Sequence, residues 1–191
     1  MEHLDRRNAL KALAGTAGLT ALPDSAAWAG EPGQPKPDRG KQMEIKIPAS
    51  LKAEHEELHE ELVRLTKAGG KTGEAAQAVA KVLHPHFVKE EELAMPPLGL
   101  LRPLAEGGVR PEMAKVVELT DKLKKDMPTM LKEHEAIVGT LQALAEAGKQ
   151  ENKPQAQQFA DKLTEHAKTE EDVLYPAAIL VGEYVKLKLN K

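Results

Sequence analysis

From residue 50 onward, apolar residues recur every three or four positions, and the runs break at glycine and proline. That period lays them along one face of an α-helix. The first run, SLKAEHEELHEELVRLTKA, has Ser50 as its candidate N-cap and stops at Gly69-Gly70. The second starts near Thr72 and carries GEAAQAVAKVLHPHFVKEEELA up to Pro96-Pro97. A short segment, LGLLRPLAEGG, leads to the third, which has Pro111 in its first turn and runs to about Gly148. The fourth follows Asn152, has Pro154 in its first turn and continues through FADKLTEHAKTEEDVLYP. No segment alternates β-branched and polar residues as a strand would. The pattern predicts an all-α fold, an up-down four-helix bundle with a short linking helix between helices 2 and 3. Pro85 and Pro128 fall inside helices 2 and 3 and predict kinks there.

Each stripe contains polar residues where leucines belong. Helix 1 reads Leu51, His55, Leu58, Leu62, Leu65, and helix 2 reads Val79, Leu83, His86, Glu90, Leu93. Helix 3 reads Met127, Met130, His134, Ile137, Leu141, Leu144, and helix 4 reads Phe159, Leu163, His166, Glu170, Val173. Residues four apart stack on one helix face, so each HxxxE pair aims both side chains inward. A single buried histidine is ordinarily a satisfied core residue. Six ionisable groups in one aliphatic core are different, because each unpaired charge costs several kcal/mol. A cation cluster at the centre satisfies all six at once, and bundle cores build such sites from inward Glu and His on facing helices.

The chain also repeats itself weakly. AEHEEL around His55 parallels KEHEAI around His134, and the steps from His55 to His86 and from His134 to His166 are 31 and 32 residues. Two helix pairs, each with one lone His and one HxxxE, make a pseudo-twofold arrangement suited to two adjacent metals with carboxylates near the axis. Composition narrows the chemistry. There is no cysteine, which excludes disulfides, thiol catalysis and Cys-ligated zinc or iron–sulfur clusters. A net charge of -3 with 3% aromatics gives no sign of nucleic-acid binding. Imidazole and carboxylate donors favour iron, manganese or zinc over magnesium or calcium.

The order H…HxxxE…H…HxxxE, with LYP after the last motif, resembles the hemerythrin-like, or HHE cation-binding, family over roughly residues 50 to 185. The resemblance implies a four-helix bundle holding two non-haem iron ions. It makes His55, His86, Glu90, His134, His166 and Glu170 the metal ligands, with carboxylate bridging and an oxo or hydroxo bridge. Reversible oxygen carriers of the family use a fifth imidazole, from an HxxxH pair on the third helix. Here Val138 stands at that position, and helix 1 has HxxxH instead, so His59 is either a seventh ligand or an exposed residue. His84 is expected to point away from the centre, and Glu91, Glu92, Glu171 and Asp172 to form a solvated acidic rim, with Glu91 or Glu171 replacing Glu90 or Glu170 as ligand if the register is off by one. Phe87 reads as packing; Tyr175 reads as packing or as a hydrogen-bond donor beside the ligands.

What the resemblance implies of function is dioxygen binding, or binding of nitric oxide or peroxide, for transport, storage or sensing. Two other classes stay open: a di-iron oxidase or peroxidase, and an extracytoplasmic iron store or nitric-oxide-responsive iron protein. The first 29 residues pair Arg6-Arg7 with a small-residue apolar run and end at Ala27-Trp28-Ala29, an A-x-A cleavage pattern. They read as a signal peptide of twin-arginine type, with a Pro/Gly-rich linker over 30–47 and the helical domain over 48–191. The expectation is an exported, periplasmic or extracytoplasmic protein whose mature form does not span a membrane.

Overall fold

The computed structural model describes residues 45–190, all helical apart from short turns. Helix α1 spans Ala49–Thr66 and α2 Gly70–Leu93. Two short helices, α3 (Met95–Leu98) and α4 (Leu101–Gly107), and a 3-10 turn over Pro111–Ala114 make the link. The long α5 covers Lys115–Gln150, and α6 covers Pro154–Thr169; a π turn over Glu170–Leu174 then passes into α7, Tyr175–Leu189. The expected bundle is present. Its link holds two short helices rather than one, and the cap of α1 is Pro48, with no side-chain hydrogen bond, rather than Ser50. Pro85 and Pro128 lie inside α2 and α5, which run through them without a break. The proposed signal and nearly all of the linker lie outside the described residues. Among the described residues no helix is long and apolar enough to cross a membrane.

Neighbouring helices close a four-sided ring. α1 lies against α2 and α6, and α5 lies against α2, α6 and α7. The apolar stripes fill this ring in layers. Leu58, Leu62, Val79, Leu83, Ile137, Leu141, Phe159 and Leu163 form the core on one side of the histidine level. Leu98, Leu123, Met130, Tyr175 and Ala178 form a second cluster on the other side, and Leu100, Met113, Val116 and Val181 a third beyond it. A polar layer therefore lies between apolar plugs.

The α1–α2 and α5–α6 turns meet at one end, and Glu151 with Lys153 joins them. The Glu151 carboxylate accepts from the Lys71 N–H at 2.8 Å, the Thr72 N–H at 3.1 Å and the Thr72 hydroxyl at 2.7 Å. It thereby caps the first turn of α2, where backbone donors have no helical partner. Lys153 donates to Glu151 at 2.8 Å and to the Ala68 and Gly69 carbonyls at 3.1 and 3.0 Å, closing the other end of the turn. Gly70 has φ +63°, and a Cβ on it would lie 2.3 Å from the Glu151 carboxylate, so only glycine fits there. Lys153 and the Thr72 hydroxyl hold the Glu151 carboxyl down at about 2. A depressed carboxyl pKa stabilises the fold above the ordinary value of 4.5, and this contribution fades as pH falls through 4.5 towards 2. Glu151→Ala is accordingly expected to lower the melting temperature by about 2–5 °C at pH 7. Thermal scans down to pH 2 should show the wild-type advantage vanish; an advantage that persists at pH 2 would assign it to something other than this carboxylate.

Candidate metal centre

In each HxxxE segment the helical period turns histidine and glutamate to the same inward face, and the outcome is a compact cluster. His55, His86, His134, His166, Glu90 and Glu170 are all buried, with 0–6% of their surface exposed. Their donor atoms fall into two groups, His86, Glu90, His134 and Glu170 in one and His55, His166 and Glu170 in the other, with all atoms of a group within 4.8 Å of one another. Glu170 belongs to both. Its Oε1 lies 2.9 Å from His166 Nε2 and 3.6 Å from His55 Nε2, and its Oε2 lies 3.4 Å from His134 Nε2. Glu90 is similarly placed, with Oε1 3.4 Å from His86 Nε2 and Oε2 3.6 Å from His55 Nε2.

Every one of the four imidazoles hands its outer nitrogen to a carboxylate. His55 Nδ1 donates to Glu91 at 3.3 Å, His86 Nδ1 to Glu133 at 2.9 Å, His134 Nδ1 to Glu171 at 2.7 Å and His166 Nδ1 to Glu54 at 3.0 Å. These four bonds obey the internal repeat: Glu54 and Glu133 precede the lone histidines, and Glu91 and Glu171 follow the inward glutamates. They also go round the bundle, joining α1 to α2, α2 to α5, α5 to the π turn and α6 to α1. Fixing the proton on Nδ1 turns Nε2 inward and makes it a better donor to a cation. Lys89 in turn anchors Glu133 at 2.6 Å and Asp126 at 3.2 Å.

The inward atoms are short of partners. His55 Nε2, His86 Nε2, His166 Nε2, Glu90 Oε2 and Glu170 Oε1 are buried with no hydrogen bond. Each unsatisfied buried group costs about 1–3 kcal/mol, and a protonated His166 meeting Glu170 at 2.9 Å relieves only those two atoms. A cation in each group satisfies them together, and the nitrogen and carboxylate donors suit iron, manganese or zinc. The residues fit a metal.

Without one, the cluster divides its protons unevenly. Burial and the Glu170 charge push Glu90 up, favouring its neutral form. Burial would raise Glu170 too, but the imidazoles of His134, His166 and His55 overcome it and hold Glu170 well below the carboxylate range. Burial works against the charge on His166, yet Glu170 and then Glu54 outweigh it and lift the group to about 9. His86 and His134 rise for the same reason, burial opposing and Glu90 or Glu170 prevailing.

The chain matches the family model for the hemerythrin HHE cation-binding domain over residues 46–178. It belongs to that family. No curated protein and no solved structure matches it. As a hemerythrin HHE domain it is a cation-binding module, and its two buried groups each bring three or more donors within reach of one cation.

His59 does not join them. It is exposed on α1, with its ring 6.4 Å from that of His84, because the inward line of α1 passes through His55, Leu58 and Leu62. At about 100° per residue, His59 lies roughly 100° round from Leu58. Phe87, stacked on His55 at 3.9 Å between centroids, closes the space in between. Glu91 and Glu171 are not merely a solvated rim, since each holds a histidine, and Glu54 and Glu133 were not singled out from sequence at all. The signal available was the doublet Glu-His in both AEHEEL and KEHEAI.

Helix 4 differs most from its sequence pattern. Val173, expected inside, is 55% exposed, and Tyr175 is 1% exposed. The π turn beginning at Glu170 adds a residue to that turn and shifts the inward register by one. Pro176 has no N–H to offer the carbonyl four residues back, and its ring crowds that carbonyl, which opens the turn. The Tyr175 hydroxyl consequently donates to Glu90 Oε1 and lies 3.2 Å from His134 Nε2, while its ring stacks on His134. Burial and the charges of Glu90 and Glu170 push its pKa up, so it stays a neutral donor.

Proposed function

We propose that this domain holds two iron ions and binds a small diatomic ligand, dioxygen first among them, for transport, storage or sensing. His86, Glu90, His134 and Glu170 are the ligands of one ion, and His55, His166 and Glu170 those of the other, with Glu90 able to reach both. The observation that carries this reading is the set of five buried, unpartnered donor atoms in two groups that share Glu170. Eight protein donor positions at most would leave two six-coordinate ions short of ligands, so iron held here would supply an exchangeable position for the small molecule. The protein's own part is defined by the side chains. Glu54, Glu91, Glu133 and Glu171 orient the imidazoles, Phe87 keeps water from the His55 side, and Tyr175 offers a hydrogen bond at the His134 side. The N-terminal pattern of residues 1–29 supports export as the setting.

The Tyr175 hydroxyl favours a second reading. A neutral proton donor beside the ligands suits an oxidase or peroxidase as well as a binding protein. Metal analysis of the purified chain, with the visible spectrum of the reduced form before and after air and again after degassing, separates these readings. About two irons per chain and a band that appears and disappears with dioxygen are expected. Irreversible oxidation would favour the enzyme or a store, and zinc or no metal would remove the di-iron reading.

A further inference from the structure

We propose that His59 and His84 form an exposed divalent-cation site at the groove between α1 and α2, which receives the cation before it reaches the buried groups. The two rings face each other from different helices, 6.4 Å apart between centroids and tilted by 50°. Imidazole nitrogens bind such a metal at about 2.0–2.1 Å, which puts the centres of two rings on one ion roughly 5–6.5 Å apart. At 6.4 Å the pair can share an ion held between rings on its opposite sides, at the outer limit of that range. Carboxylates line the same groove. A cavity of about 270 Å³ is lined by both histidines, by Glu56, Glu60 and Glu91, and by His55. None of the described residues lining it is a lysine or arginine. Glu56 and Glu60 are held only loosely, 3.9 and 3.8 Å from Lys52 and Arg64 on the exposed surface. A groove lined by one sign of charge concentrates counter-ions and speeds their arrival.

The same cavity reaches the outer edge of the buried cluster, with Phe87 in its wall. Glu91 is 42% exposed, lines the groove and accepts from His55 Nδ1. One carboxylate therefore touches both the exposed pair's cavity and an imidazole of the buried cluster.

The internal repeat does not account for the pair. The positions that correspond to His59 and His84 in the second half are Val138 and Thr164, and Lys168 stands where Val88 lines the groove. Two histidines and an acidic groove occur on one half only, where they serve no packing role.

The role as a first stop, unlike the exposed site itself, rests on the buried groups taking metal. The test uses the full chain, stripped of metal and titrated with Zn²⁺ alone, with the imidazole nitrogens followed by two-dimensional NMR. The ring signals of His59 and His84 are expected to move together, separately from those of His55, His86, His134 and His166. In His84→Ala the His59 response should be lost, and on rapid mixing the buried groups should load on the order of tenfold more slowly to an unchanged final occupancy. Both residues are exposed, so circular dichroism should show the fold intact in the variant. If His59 and His84 respond independently or not at all while the buried rings respond, the exposed site is wrong. An unchanged loading rate in His84→Ala overturns the role as first stop. Silent buried rings would instead sink the metal-centre assignment, and the His59–His84 result would still be read on its own.

Discussion

Glu170→Gln is expected to cut the metal content from about two ions per chain to one or fewer, with the helical spectrum retained. Glu170 is the one residue common to both donor groups, within 3.6 Å of three inward imidazole nitrogens. Glutamine keeps the size and one carbonyl acceptor, so the bundle still closes around it. It removes the negative charge, and its amide cannot bridge two cations as a carboxylate does. Glu90→Ala should act in the same direction, whereas His84→Ala should leave final occupancy unchanged. Elemental analysis of the dialysed variants decides the matter: full occupancy in Glu170→Gln would remove Glu170 from the ligand set. The metal-free variant should also be less stable below pH 6.5, since His166 loses its main anionic partner. The rise of His166 from 6.5 to about 9 corresponds to about 3 kcal/mol at 1.36 kcal/mol per pH unit, and that is the scale of the expected loss.

The same histidine gives the second prediction, a different pH response of the metal-free and loaded forms. A histidine pKa raised by folding stabilises the protein fully below the ordinary 6.5, and this contribution disappears as pH rises through about 9. Denaturant unfolding of the metal-free chain should therefore show stability falling by about 3 kcal/mol between pH 6.5 and 9 from this group. Metal needs the neutral imidazole and displaces that proton, so affinity should rise over the same interval by about tenfold per pH unit for each proton displaced. That gain offsets the metal-free chain's loss proton for proton, so the stability of the loaded chain should stay level over the same interval. Titration calorimetry in two buffers of different ionisation enthalpy counts the protons released. No release at pH 7.5 would mean that His166 is neutral before metal arrives, and the Glu170 pairing would then be wrong.

The bundle and the inward residues could be read from sequence because both rest on one local rule, the helical period. His86 and Glu90 share a face by spacing alone, and Leu58 and Leu62 confirm which face of α1 is inward. The carboxylates behind the histidines were harder to read. Glu91 and Glu171 adjoin other acids and stay partly exposed, which is also how a solvated surface looks. Only the ring of four helices shows that each meets an imidazole from its neighbour. Tyr175 was ambiguous because its inward turn depends on an added residue in the helix, and a period of 3.6 extrapolated through Glu170 points Val173 inward instead. His59 failed as a ligand for the converse reason. A spacing of four from His55 places it near the right face, but Phe87 from the next helix already fills the space.

The internal repeat copies every residue of the polar layer, yet the residues that touch it from outside do not repeat. Phe87 stands on the His55 side where the second half has Ala167, and Tyr175 stands on the His134 side where the first half has Met95. Two ions bound here would not be twins. One would share its carboxylate with a phenol hydroxyl, and the other would lie beside a phenyl ring with nothing to donate. Such a pair would differ in affinity from one position to the other, and an outside molecule would meet two unlike faces of one centre.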